Sequence, residues 1–379
     1  MPLSQGDASS VTTQTTLGQA TLGMAGASMD DRSLVRYRLL LVAACLLVVV
    51  FIASIAIGPT GLSLTSVPRA ISAALWGSET AADEMARLVL VDVRLPRTLL
   101  AAFVGGALAV AGALMQGLFR NPLADPGLIG VSSGAALGAV TTIAFSGTIA
   151  APWVAVFGLY ALPTAAFIGG LATTMILMMV ARRHGTTAVS TLLLAGIAVG
   201  AVAFALMGLI AYLSNDRELR DITLWTLGSL AGSSWSKALG VLPFAILIAV
   251  MLPGLVRALN GLLLGEAEAF HLGVNLERAK MKIVLLTAAA VGAAVAVAGM
   301  IGFVGIVIPH FVRMIAGPDH RIVLPASALL GAVLVIATDI IARVIVAPAE
   351  LPIGIILAIV GAPVFLHLVV RRGGALGGS

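Results

Sequence analysis

Of the 379 residues, 60% are hydrophobic and 10% charged, and the mean hydropathy is +1.09, which excludes a soluble globular protein. The net charge of +5 does not point to nucleic acid, because the basic residues stand at the ends of apolar runs. Cys45 is the sole cysteine, so neither a disulfide framework nor a cysteine metal site is available. The composition fits an all-α, polytopic membrane protein.

Residues 1–33 are rich in Ser, Thr, Gly and Ala without apolar period and read as a disordered cytoplasmic tail. The first apolar run, Leu39 to Ile57, follows Arg32, Arg36 and Arg38. It is too long for the apolar region of a signal peptide, and Gly58-Pro59-Thr60 lacks a small-residue cleavage pattern, so it reads as an uncleaved span. A crossing needs roughly 20 apolar helical residues. Further runs lie near 98–118, 129–147, 154–180, 192–213, 238–257, 283–301, 304–316, 322–338 and 353–370. Ten transmembrane helices are therefore expected, making residues 34–372 one transmembrane domain, with 373–379 a short flexible tail. The eighth run is short and interrupted by Pro309, as in a broken or protein-buried helix. Most of the 22 Lys and Arg fall on one side when the N-terminus is inside, so both termini are expected in the cytoplasm.

The chain echoes itself. Ala109-Val110-Ala111-Gly112 in the second span returns as Ala296-Val297-Ala298-Gly299 in the seventh. Each is followed by a proline-containing break and a small-residue helix, Gly134 to Val140 in one half and Ala326 to Val333 in the other. Leu194 to Ala201 likewise matches Leu357 to Ala362. Five spans separate the copies, an odd number, so helices 2–5 and 7–10 read as an inverted repeat, with a transport pathway at the repeat interface.

An ion-coupled transporter needs ionisable groups near the midplane. No Asp or Glu falls mid-span; Asp339 and Arg343 stand one turn apart at an outer end, where they can pair. Proton or sodium coupling is thus disfavoured. The chain also lacks a phosphate-binding loop, since none of Lys237, Lys280 and Lys282 follows a glycine. If ATP drives the process, another subunit hydrolyses it and must dock on the inner face. The longest inner loop, Asn260 to Lys282, offers a short helix, Glu266 to Leu272, between Gly265 and Gly273, with Ala267, Ala269 and Phe270 as a packable face. The alternative for this loop is an amphipathic connector lying on lipid.

Several motifs carry a resemblance: Arg94-Leu95-Pro96-Arg97, Gly112 to Gln116, Asn121-Pro122-Leu123-Ala124-Asp125-Pro126-Gly127, Leu264-Gly265-Glu266, Gly302 to His310, and Glu350-Leu351-Pro352-Ile353-Gly354. In this order, over Leu39 to Arg372, the chain resembles the FecCD-type permeases of ATP-driven importers for iron-siderophores, vitamin B12 and heme. The resemblance implies a non-enzymatic subunit of the bacterial inner membrane, paired with a second copy of itself. It further implies two cytoplasmic ATPases, a periplasmic binding protein and no cofactor on this chain. It carries ATPase coupling onto Gly265, Glu266, Ala269, Leu272 and Gly273, although Gly273 stands seven residues after Glu266, unlike the general importer motif E-A-A-x-x-x-G.

By the same resemblance, Arg94, Arg97 and Arg343 meet acidic residues of the binding protein at the outer face. A cation at a helix N-terminus, as at Arg97, is tolerated more easily when carboxylates approach it; snorkelling to the headgroups is the other reading. The outer stretch Tyr212 to Gly232 looks most like the heme branch, which implies a periplasmic heme-binding protein, with vitamin B12 or a ferric siderophore as the alternative cargo. The resemblance also suggests inner constrictions at Ser132, Ser133 and Ser190. In the fifth span, Gly196 and Gly200 offer either a smooth pathway wall or a surface for close helix packing.

Overall fold

The computed structural model describes residues 34–58, 80–183 and 186–376, with 68, 72 and 77. The expected tail at 1–33 lies outside the described residues, as do 377–379. Among the described residues the regular structure is helical apart from a hairpin that pairs Arg182–Arg183 with Thr186–Thr187.

In chain order the helices are α1 (Leu34–Ala56), α2 (Ala81–Arg87) running through a π-helical turn (Leu88–Arg94) into α3 (Leu95–Leu118), α4 (Val131–Ala144) and α5 (Ala151–Phe157). Next come α6 (Ala161–Ala181), α7 (Val189–Leu213), α8 (Asp216–Thr226), α9 (Trp235–Leu264) and α10 (Glu266–His271). The last four are α11 (Leu276–Ala298), α12 (Val304–Ala316), α13 (His320–Val344) and α14 (Ile353–Leu376). Among the described residues, seven helices are long and apolar enough to cross a membrane, and α4, α12 and the segment Ile353–Leu366 of α14 are shorter apolar helices. This is a multi-pass membrane protein.

Helix α3 is the hub, packed by α9, α11, α12 and α13. In lipid, helices gain nothing from hiding apolar surface from one another, so tight backbone approach must hold them together. Glycines provide it. A Cβ on Gly105 would overlap the Gly331 carbonyl and one on Gly331 the Gly105 carbonyl, while a Cβ on Gly112 would overlap the Gly305 carbonyl. Gly134 of α4 and Gly169 of α6 form a further mutual contact.

The two halves share a helix order. A 24-residue α3 precedes the 14-residue α4, and a 23-residue α11 precedes the 13-residue α12. Both short helices start from a left-handed residue, Gly130 at φ 72° and Phe303 at φ 67°. Phenylalanine in that region is strained. Its ring lies against Gly361 of α14, where any side chain would collide with it. One echo needs correcting. Gly134–Val140 lies in α4, but Ala326–Val333 lies in α13, the second full helix after α11, so the pair is not at equivalent positions. In Ala/Val/Gly-rich helices a local match arises without structural equivalence.

Candidate functional site

At the C-terminal end of α9 the chain turns sharply into α10. Gly265 takes φ +127° and Gly273 φ +76°, backbone angles that disfavour a side chain, so both glycines bound the element as the sequence requires. Between them Ala269 is fully buried beside Gly261, and the Val274 amide donates to the Ala269 carbonyl at 3.1 Å. Glu266 is held by Lys280 at 3.0 Å, and Lys280 also reaches Glu277 at 3.6 Å. The expected packing face divides: Ala269 points inward, whereas Ala267 and Phe270 are exposed, together with Leu264 and Leu272. A cavity of about 600 Å³ lined by Ala188, Glu266, Phe270 and Lys280 opens beside the element. The arrangement is a small rigid knob with an apolar tip.

The arginines expected to meet a binding protein are buried: Arg94, Arg97 and Arg343 are 3%, 7% and 3% exposed. Arg94 donates to the carbonyls of Ile55 and Ala56 at 2.7 and 2.9 Å, closing the end of α1. Arg97 bonds Asp339 through Nε and Nη2 at 3.0 and 2.9 Å, and Glu350 through Nη1 and Nη2 at 2.7 and 2.9 Å. Arg343 reaches Asp339 at 3.0 Å and donates to Ser54 Oγ at 2.9 Å. Arg97 and Arg343 thus share two carboxylates, which compensates their burial, while Arg94 adds a third buried guanidinium near Arg343. The carboxylates that relieve Arg97 at its helix N-terminus come from α13 and the following loop, not from outside. Glu350, whose side chain is 31% exposed, is the member of the cluster open to solvent. The Asp339–Arg343 pairing read from spacing is present.

The third set of residues surrounds the break before α4. Asp125 caps the 3-10 turn Pro126–Ile129, accepting from the Gly127 amide at 2.7 Å. Burial holds its carboxyl above the ordinary pKa, against the opposing pull of that amide. A cavity of about 280 Å³ is lined by Asp125, Ser132, Ser133, Gly200 and Phe303 among others. Ser133 bonds back to the Gly130 carbonyl at 3.0 Å. Gly200 has only Ser133 Oγ nearby, 3.9 Å from where a Cβ would stand. Gly196 instead abuts the Leu128 carbonyl and serves close packing. Ser190 is exposed on the first turn of α7 and does not line this cavity. Of the predicted gate residues, Ser132, Ser133 and Gly200 come together. Asp125 and Phe303 join them, having entered the sequence reading only as motif letters.

The comparisons agree with this architecture. The model of the FecCD transport family matches residues 46–371. The chain is 45% identical to the hemin transport system permease protein HmuU of Yersinia pestis, over 86% of this chain and 93% of that protein. It is 39% identical to the cobalamin import system permease protein BtuC of Halobacterium salinarum, over 83% and 85%. A solved inward-facing structure of an ABC transporter of metal-chelate type superposes with TM-score 0.76 at 34% identity, covering 88% of this chain and 99% of that one.

Proposed function

The chain belongs to the FecCD transport family and is a permease of ABC importer type, and we propose that its cargo is heme. The observation that carries the importer reading is the glycine-bounded α10, with Ala269 locked beneath and Phe270 and Leu272 offered at its tip. Such a knob suits insertion into a cleft of an ATPase subunit, because its apolar tip gains by leaving water while its base keeps its shape. ATP hydrolysis then resides in that partner, present in two copies around a permease dimer in the bacterial inner membrane, with both permease termini in the cytoplasm. The heme assignment is supported by the likeness of Tyr212 to Gly232 to the heme branch and by the 45% identity to a hemin permease.

On the outer face a periplasmic binding protein delivers the cargo. Arg94, Arg97 and Arg343 remain its proposed counter-charges, with Arg97 the reachable one. An arriving carboxylate meets Arg97 by exchanging with the solvent-facing Glu350. Ser132, Ser133 and Gly200 line the inner constriction. Cobalamin is the second reading, favoured by the cobalamin permease relative.

The test is ATP-driven uptake in liposomes that hold the permease, its co-purified ATPase and its binding protein, with heme, cobalamin and a ferric siderophore offered separately. ATP-dependent accumulation of heme is expected. Uptake of another cargo alone sinks the heme assignment, and uptake without ATP sinks the coupling reading.

A further inference from the structure

The inner ends of five helices meet on a buried polar chain that the functions above leave unused. Asn260, in the last turns of α9 shortly before Gly265, accepts on Oδ1 from the His320 amide and from His320 Nδ1, both at 2.9 Å. Its Nδ2 donates to Asp319 at 2.8 Å. Because Oδ1 can only accept, the ring proton sits on Nδ1, and Nε2 is left to accept from Arg313 Nη2 at 3.4 Å. Arg313 also donates to Gln116 Oε1 and to the Ala113 carbonyl on α3. Gln116 Nε2 then donates to the carbonyls of Gly305 and Ile306, each at 3.2 Å, in the first turn of α12. Arg36 of α1 closes the far side on Asp319 at 3.6 Å. Burial alone would raise the Asp319 carboxyl. The Arg321 amide, the Asn260 side chain and the charges of Arg36 and Arg321 outweigh it and hold the group below its ordinary pKa.

The last link has a specific cause. In a helix the Gly305 carbonyl would accept from the amide of residue 309, but residue 309 is proline and has none. A buried carbonyl in a membrane needs another donor, and Gln116 is that donor. Gly117 makes the approach possible, since a Cβ there would stand 2.7 Å from Leu259 and 2.9 Å from His320 Nε2. The chain therefore runs from the base of α10 to Arg313 near the inner end of the proline-interrupted α12, and through Gln116 of α3 back to the first turn of that helix beside strained Phe303.

We propose that Gln116 is a positioning residue of the transport cycle: Asn260 and His320 tie the ATPase-docking end of α9 to Arg313 at the inner end of α12, and Gln116 on α3 joins Arg313 to the first turn of that helix and so to the cavity wall. Apolar contacts between these helices can slide, whereas a directional bond in a dry interior must move with its partner or break at a cost. The proposal rests on the reading that α10 docks the ATPase.

The experiment measures heme uptake and ATP hydrolysis in the same proteoliposomes of the full transporter. For Gln116→Met, ATPase activity is expected to stay near the parent's while uptake per ATP falls about tenfold or more, the ordinary size of a coupling energy. Gln116→Glu keeps an acceptor for Arg313 but cannot donate to Gly305, and the same loss is expected. Pro309→Ala restores an amide for the Gly305 carbonyl. If Gln116 merely satisfied that carbonyl, Gln116→Met/Pro309→Ala would recover uptake per ATP; a positioning Gln116 leaves the double variant uncoupled. Parental uptake per ATP in either single variant, recovery in the double variant, or parallel loss of assembly, ATPase and uptake in both single variants overturns the proposal. Leu272→Arg separates the underlying reading: retained co-purification of the ATPase would sink α10 docking, whatever Gln116 does.

Discussion

Replacing Asp339 by asparagine tests the outer charge cluster most directly. The carboxylate is fully buried and receives Arg97 and Arg343 together. Asparagine has nearly the same shape, so the change removes a charge and leaves two buried guanidiniums facing Glu350 alone. Removing one partner of a buried pair costs about 3–5 kcal/mol. Glu350 still grips Arg97 through two bonds of 2.7 and 2.9 Å, which places the expectation at the lower end. About 3 kcal/mol is roughly a hundredfold in the folding equilibrium. Asp339→Asn/Arg343→Met removes the surplus cation as well and leaves one balanced pair, so most of the loss is expected to return. Reversible SDS unfolding in mixed micelles, followed by tryptophan fluorescence, reads both variants. An Asp339→Asn protein as stable as its parent, or a double variant weaker than the single one, would refute the charge-balance argument.

Further outcomes follow from the same geometry. Gly112→Val drives a side chain into the Gly305 backbone and is expected to cost about 3 kcal/mol or more. Gly240→Ala meets nothing within 4 Å and is expected to stay within about 0.5 kcal/mol; yield of monodisperse protein separates the two. Phe270→Arg charges the exposed tip of α10, so co-purification of the ATPase should fail while the permease melts as before. Asp125 has a folded pKa raised above its ordinary 3.8, so the folded state holds the proton more tightly and stability falls as pH climbs from that value through the raised one. Asp125→Asn should flatten this limb of a stability–pH profile and be the more stable protein at neutral pH; an unchanged slope would contradict the burial argument.

How much of this was legible beforehand differs by the range of the forces involved. Apolar runs, Pro309 and the glycine pair around Glu266–His271 are local signals: hydropathy sets which segments enter lipid, and a positive φ demands glycine wherever the turn sits. They located the long helices, though with ends off by up to seven residues at α9 and α11 and with α5 and α6 merged into one span, and the bounds of α10 closely. Ala269 departs from the expected docking face, because which side of a six-residue helix faces protein depends on what Gly261 allows beneath it. The arginines show the same limit more strongly. Arg97 read alone is a cation at a helix start in search of a carboxylate, and sequence could not say that the carboxylate stands 242 positions away on α13. Gln116 was a motif letter until packing set its amide against the carbonyl that Pro309 leaves without a donor. Local chemistry thus determined the helices, their breaks and the need for partners. Only the packing of α3 among α9, α11, α12 and α13, set by where glycines let backbones touch, decided which partner answered each need.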